Sequence, residues 1–223
     1  MPGLEPGTPT PHLSEMSRRR NRPWPDLAEE RLLLDRTGIW PMGIDEAGRG
    51  PWAGPVVSAA VRLDPEDVPD GLDDSKRLSP NRRAGLNAAI RASASVGVGL
   101  ASVEEIDRLN IHRATLLAMR RAATALAGPP VALVDGRFMP DGIEGTPIPK
   151  GDARCASIAA ASIVAKVARD TIMRSLGQQH PPYHWEQNKG YGTQEHRAAL
   201  LQHGPTQHHR RSFAPIRNML CPD

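Results

Sequence analysis

Cysteine and long apolar runs are both scarce in this 223-residue chain. Only Cys155 and Cys221 occur, without CxxC spacing, so neither a disulfide framework nor a zinc site is indicated. Cys155 reads as a small buried residue on a helix. No stretch approaches the roughly 18 apolar residues needed to cross a bilayer, and the N-terminus lacks the apolar core of a signal peptide. A cytoplasmic protein with no membrane partner is the expectation. Internal repeats are absent as well. The formal charge of +3 and pI near 9.2 are compatible with a polyanionic partner but do not establish one.

What is present suffices for one substantial core. Residues 1–25 are rich in Pro, Gly and Ser, carry Arg18, Arg19, Arg20 and Arg22, and read as a flexible arm. Residues 26–223 read as a single domain. Helical spacing is expected over Asp26–Arg36, and strands over Ile39–Ile44, Val56–Arg62 and Val96–Ala101. Ser79 and Pro80 open a helix as N-cap and first helical residue, and it runs through Leu86 and Ile90. A short helix follows Ser102, and a longer one spans Ile111–Leu126 with Leu116, Met119 and Ala123 inward. Val131–Val134 is a buried strand, and a fifth strand includes Pro147–Lys150. An alanine-rich helix is expected from Ala153 to about Ser175, then a turn-rich stretch and a short helix over Gln194–Gln202. This order describes an α/β fold, a five-stranded mixed sheet flanked by helices with a helical, turn-rich C-terminal extension.

Two expected strands run out onto acids. The chain reads GIDEAGRGPWAGP from Gly43, placing Asp45 and Glu46 beside an arginine between glycines. Successive strand side chains point to opposite faces, so Glu46 is expected to join Asp45 only if the chain bends, which the run from Ala47 to Gly50 permits. The run ending at Val134 delivers Asp135 in the same manner. If the two strands are parallel neighbours, Asp45 and Asp135 meet outside their carboxyl ends. Asp152 precedes the long helix and doubles as its expected N-cap. Four carboxylates in a small volume cannot all stay ionised without cations. Two divalent ions about 4 Å apart would resolve the conflict and cut a phosphodiester to 5′-phosphate and 3′-hydroxyl ends.

The motifs are specific. GIDEAGRGPWAGPV from Gly43, DDSKRLS from Asp73, IDRLNIHRATLLAM from Ile106, LVDGRF from Leu133, KGDARCASIAAASIVAKVARD from Lys150, NKGYGTQEH from Asn188 and GPTQHHRRSFAP from Gly204 resemble ribonuclease HII, the type 2 ribonuclease H family. The resemblance runs from about Trp40 through Ile216. It implies a ribonuclease H-like fold and an endoribonuclease dependent on Mg2+ or Mn2+. The substrates it implies are the RNA strand of RNA/DNA hybrids and single ribonucleotides embedded in duplex DNA. Aligned motifs place the four-acid site on Asp45, Glu46, Asp135 and Asp152, and leave Asp170 to face solvent or pair with an arginine.

The resemblance also implies that Gly48, Arg49 and Gly50 contact the ribose hydroxyl and the adjoining phosphate, and that Tyr191 senses the RNA–DNA junction. The 2′-hydroxyl is what separates the two sugars. Lys76, Lys166, Arg169 and Lys189 are expected to address phosphates. His208, His209, Arg210 and Arg211 would extend the basic surface without binding metal, since Mg2+ prefers oxygen. A monomer is expected. A resolvase-like metal nuclease on the same fold, or a binding module that has lost catalysis, remain alternatives at this point.

Overall fold

The computed structural model describes residues 24–220; the basic arm, apart from Trp24 and Pro25, and Cys221 lie outside them. Five strands form one sheet: β1 (Met42–Ala47), β2 (Val56–Arg62), β3 (Ser95–Ala101), β4 (Val131–Asp135) and β5 (Glu144–Ile148). Their order is β3-β2-β1-β4-β5. Antiparallel pairing joins β1 to β2 and β2 to β3, whereas β1, β4 and β5 are parallel. The helices are α1 (Ala28–Thr37), α2 (Pro80–Ser93), α3 (Val103–Leu109), α4 (Ile111–Thr124), α5 (Ala156–Gln179), α6 (Trp185–Asn188), α7 (Gln194–His203) and α8 (Ala214–Leu220).

The alternation of β2 sets the two layers. Ala59 and Val61 face Ala156, Ala160 and Ile163 of α5, with Leu86 and Ile90 of α2 packed alongside. Ala60 faces the opposite way, toward Met119, Ala122 and Ala123 of α4. Alanines in the first half of α5 let the helix approach the sheet closely. Gly43 extends that fit: a Cβ there would collide with the Ser157 backbone. The C-terminal extension builds a smaller core around Met173, Tyr183, Trp185 and Leu200.

Several expected boundaries shift. β1 starts later and runs further, through Ala47. The fifth strand is Glu144–Ile148, because that stretch is in register with all of β4. Asp152 is not the N-cap of the long helix. It sits in a 3-10 turn, Gly151–Ala153, while Cys155 takes the cap position with no side-chain bond. The duty falls to Glu30 of α1, wholly buried, whose Oε1 accepts from Ser157 N at 2.9 Å and Ser157 Oγ at 2.6 Å. Ala156 N donates to Asp26 O at 2.8 Å. A cap can come from distant sequence as well as from the adjoining residue.

Candidate active site

Parallel neighbours bring the acids together, as the apolar runs ending in Asp45 and Asp135 imply. The β1–β4 ladder stops at Ile44↔Val134, while β1 stays bonded to β2 through Ala47. Beyond that point the two strands part, and Asp45, Glu46 and Asp135 each offer an oxygen, all within 4.8 Å of one another. β1 stays extended through Glu46 to Ala47. The chain turns only afterwards, at Gly48 with φ +101°. The buried Ser58 hydroxyl fixes the strand by donating to Asp45 O at 2.7 Å, and Gly151 N donates to Asp135 Oδ1 at 2.7 Å.

Like charges and burial strain the cluster electrostatically. Burial, then the fields of Glu46 and Asp135, hold the Asp45 carboxyl well above its usual range. Glu46 is raised by burial and partly relieved by Arg49, 3.5 Å away. Asp152 stands outside the tight group of three, yet burial followed by Asp74 and Asp135 raises it too. Lys76 completes the balance: burial lowers it, but Asp74, Asp152, Asp45 and Asp135 together leave it raised. Oxygen-only donors that repel one another fit a hard divalent cation.

A cavity of about 260 Å3 joins Asp45 and Glu46 to the 48–50 loop, Lys76, Lys166 and Tyr191. Tyr191 is half exposed, and Gly50 faces its ring edge. Trp52 N donates to Gly190 O at 2.8 Å, tying the two glycine-flanked segments together. A larger cavity of about 560 Å3 between Leu109 and Asp141 holds no acid but Asp141.

The other expected cations make contacts within the protein, and Asp170 meets an arginine as expected. Arg169 lines the same cavity but is 1% exposed and spends its N–H donors on the carbonyls of Pro55, Lys189 and Ala53, so its charge acts there without a free donor pointed at a phosphate. Lys189 turns its ammonium back onto the Glu186 carbonyl. Lys166 pairs with Asp170 at 2.6 Å, and Asp170 also meets Arg83 at 3.9 Å. His209 and Arg210 are buried and add nothing to the basic surface. The sequence reading missed Arg210 as a support for the 48–50 loop; its only signal was its place in the GPTQHHRRSFAP motif.

Among the described residues no helix is long and apolar enough to cross a membrane. A solved ribonuclease H2 from Pyrococcus horikoshii OT3 is similar at 25% identity and TM-score 0.68, over 80% of this chain and 95% of that one. Bst-RNase HIII, solved in complex with Mn2+, shares the fold at 19% identity and TM-score 0.64, over 81% of this chain and 68% of that one. A ribonuclease HII from Jannaschia sp. is 56% identical over 200 residues, covering 88% of this chain and 98% of the relative. The sequence model for ribonuclease HII matches residues 42–216. A ribonuclease H-like sheet with carboxylates at its parted strand ends, matched along most of its length, places the chain in the ribonuclease HII family of hydrolytic endonucleases.

Proposed function

We propose that this endonuclease cleaves the RNA strand of RNA/DNA hybrids and incises at single ribonucleotides within duplex DNA. The observation that carries the reading is one cavity in which acids of the cluster adjoin the 48–50 loop and Tyr191. A phosphodiester seated at the acids would place its sugar against glycine backbone, where no Cβ intervenes.

Asp45, Glu46 and Asp135 would hold two divalent ions, Mg2+ or Mn2+, with Asp152 joining from the 151–153 turn. Bound ions would neutralise the acids and make water a competent nucleophile at neutral pH, leaving 5′-phosphate and 3′-hydroxyl ends. Lys76, beside the acids, addresses the phosphate under attack, and Lys166 with Arg49 the flanking backbone. Gly48, Arg49 and Gly50 meet the ribose hydroxyl, and Tyr191 meets the sugar at the junction. Residues 26–223 act as one catalytic domain, including the C-terminal extension, in a cytoplasmic monomer.

The test is a labelled duplex carrying one ribonucleotide beside an all-DNA control, incubated with Mg2+, Mn2+ or EDTA. Incision of the first alone, abolished by EDTA, is the expected result. Equal cutting of both duplexes would move the assignment to a general DNA nuclease.

A further inference from the structure

The loop from Gly48 to Pro55 turns its carbonyls inward onto two buried guanidinium groups. Arg210, 0% exposed, donates from Nη2 to Gly48 O at 2.6 Å, from Nη1 to Arg49 O at 2.9 Å and from Nε to Gly54 O at 2.9 Å. Its Nη2 also reaches Pro55 O at 3.2 Å. Arg169 arrives from α5 and takes Ala53 O and Pro55 O, each at 3.1 Å. Neither arginine has a carboxylate partner among the described residues. Burial lowers Arg210 to about 9 and Arg169 to about 10. Removing a cation from water without a counter-charge is costly, and here only neutral carbonyls offset it.

The cage has a geometric consequence on its far side. A trans peptide is planar, so the C=O of one residue and the N–H of the next point in opposite directions; no cis bond occurs among the described residues. With the carbonyls of Gly48 and Arg49 drawn onto Arg210, the N–H groups of Arg49 and Gly50 face away from it. Among the described residues neither N–H has a backbone acceptor. The same residues line the cavity that holds Asp45, Glu46 and Tyr191.

Arg210 is itself held in place. Its N–H donates to Trp52 O at 2.8 Å, Gly54 N donates to His208 O at 2.9 Å, and Ala53 and His209 form an antiparallel bridge. The guanidinium also lies 5.0 Å from the Phe213 ring centroid. A lysine could not replace it, because one ammonium cannot span four carbonyls that a planar fork reaches together.

We propose that Arg210 is a positioning residue for ribose recognition: gripping the carbonyls of Gly48 and Arg49 from behind, it aims the amides of Arg49 and Gly50 at the sugar and phosphate beside the acids. Arg210 never touches substrate. The inference rests on the reading of the 48–50 loop given above, and its test separates the two.

Affinity is measured in EDTA for a duplex with one ribonucleotide and for the all-DNA duplex of the same sequence, using wild type and Arg210→Lys. Wild type binds the first more tightly. In Arg210→Lys that preference falls at least about tenfold while all-DNA affinity and Mn2+ binding at the acids stay within about twofold, a split that general loosening of the fold would not produce. A folded Arg210→Lys that keeps the full preference overturns the role of Arg210 alone. A wild type with no preference at all overturns the reading of the loop instead. Should Arg210→Lys fail to fold, hydrogen exchange of the Arg210 Nε proton in the free wild type decides. Exchange slowed to the rate of global opening supports the cage, and exchange as fast as that of the half-exposed Arg49 refutes it.

Discussion

The Nε2 atoms of His196 and His209 lie 3.0 Å apart in a buried pair. His196 Nδ1 is 2.9 Å from the Tyr191 carbonyl and so carries a proton. His209 Nδ1 accepts from Thr206 N at 2.9 Å, which leaves its proton on Nε2, donated to His196. Trp185 Nε1 donates to the same His196 nitrogen at 3.2 Å. Every ring position is taken, and a further proton on either ring would face an N–H donor, from Trp185 and His209 at His196 Nε2 or from Thr206 at His209 Nδ1.

Burial, then the neighbouring His196, lowers His209 from 6.5 to about 3, and burial lowers His196 too. A base with a depressed folded value stabilises fully above its unfolded value, and that stability is lost as pH falls below 6.5. The expected loss is about 1.4 kcal/mol per pH unit below that point while folded His209 stays neutral. Thermal melting in EDTA from pH 7.5 to 5, wild type against His209→Gln, checks it. Parallel curves for the two proteins would contradict the assignment.

Asp45 carries the opposite sign. Its folded value is raised, first by burial and then by Glu46 and Asp135, so in metal-free protein its contribution weakens as pH rises above 3.8. Asp45→Asn removes the strain. Relative to wild type the variant therefore gains melting temperature between pH 4 and 7.5 in EDTA. Mn2+ then stabilises wild type at pH 7.5 and leaves the variant unmoved, and equal Mn2+ shifts for both would count against metal binding at Asp45.

Asp135→Asn keeps one oxygen for Gly151 N but loses the charge that closes the acid group. Cleavage falls at least about 100-fold, roughly 2.7 kcal/mol of transition-state stabilisation, and duplex affinity in EDTA changes little. Single-turnover rates beside a gel-shift titration measure the two separately. Near-normal turnover would remove Asp135 from the site.

Tyr191→Ala leaves the carbonyl that His196 grips and removes only the half-exposed ring beside Gly50. Incision at a lone ribonucleotide is expected to drop roughly tenfold more than cutting of a long hybrid, about 1.4 kcal/mol of selective loss. Matched kcat/KM values on both substrates give the ratio. A ratio equal to that of wild type would exclude a junction role.

Local pattern disclosed much of this arrangement. Val56–Arg62 is a strand with the bounds its apolar run gives, and Asp45 meets Asp135 because two such runs end in acids on parallel neighbours. Other features depend on contacts that no local window contains. Asp152 has the residue type of an N-cap, but Glu30 serves the helix from another part of the chain. Arg169 and Arg210 look like surface cations until the fold supplies a nest of carbonyls around each. The seven residues of α8 are too few for a clear period, and that helix was missed.

Glu30 also ties the long helix to the first described one. Since α5 starts on a carboxylate from α1 and on the Asp26 carbonyl, trimming the chain past Pro25 would remove the acceptors on which that helix is founded. Shortened versions designed for crystallisation or fusion would then uncap the helix that Gly43 packs against, two residues from the first acid.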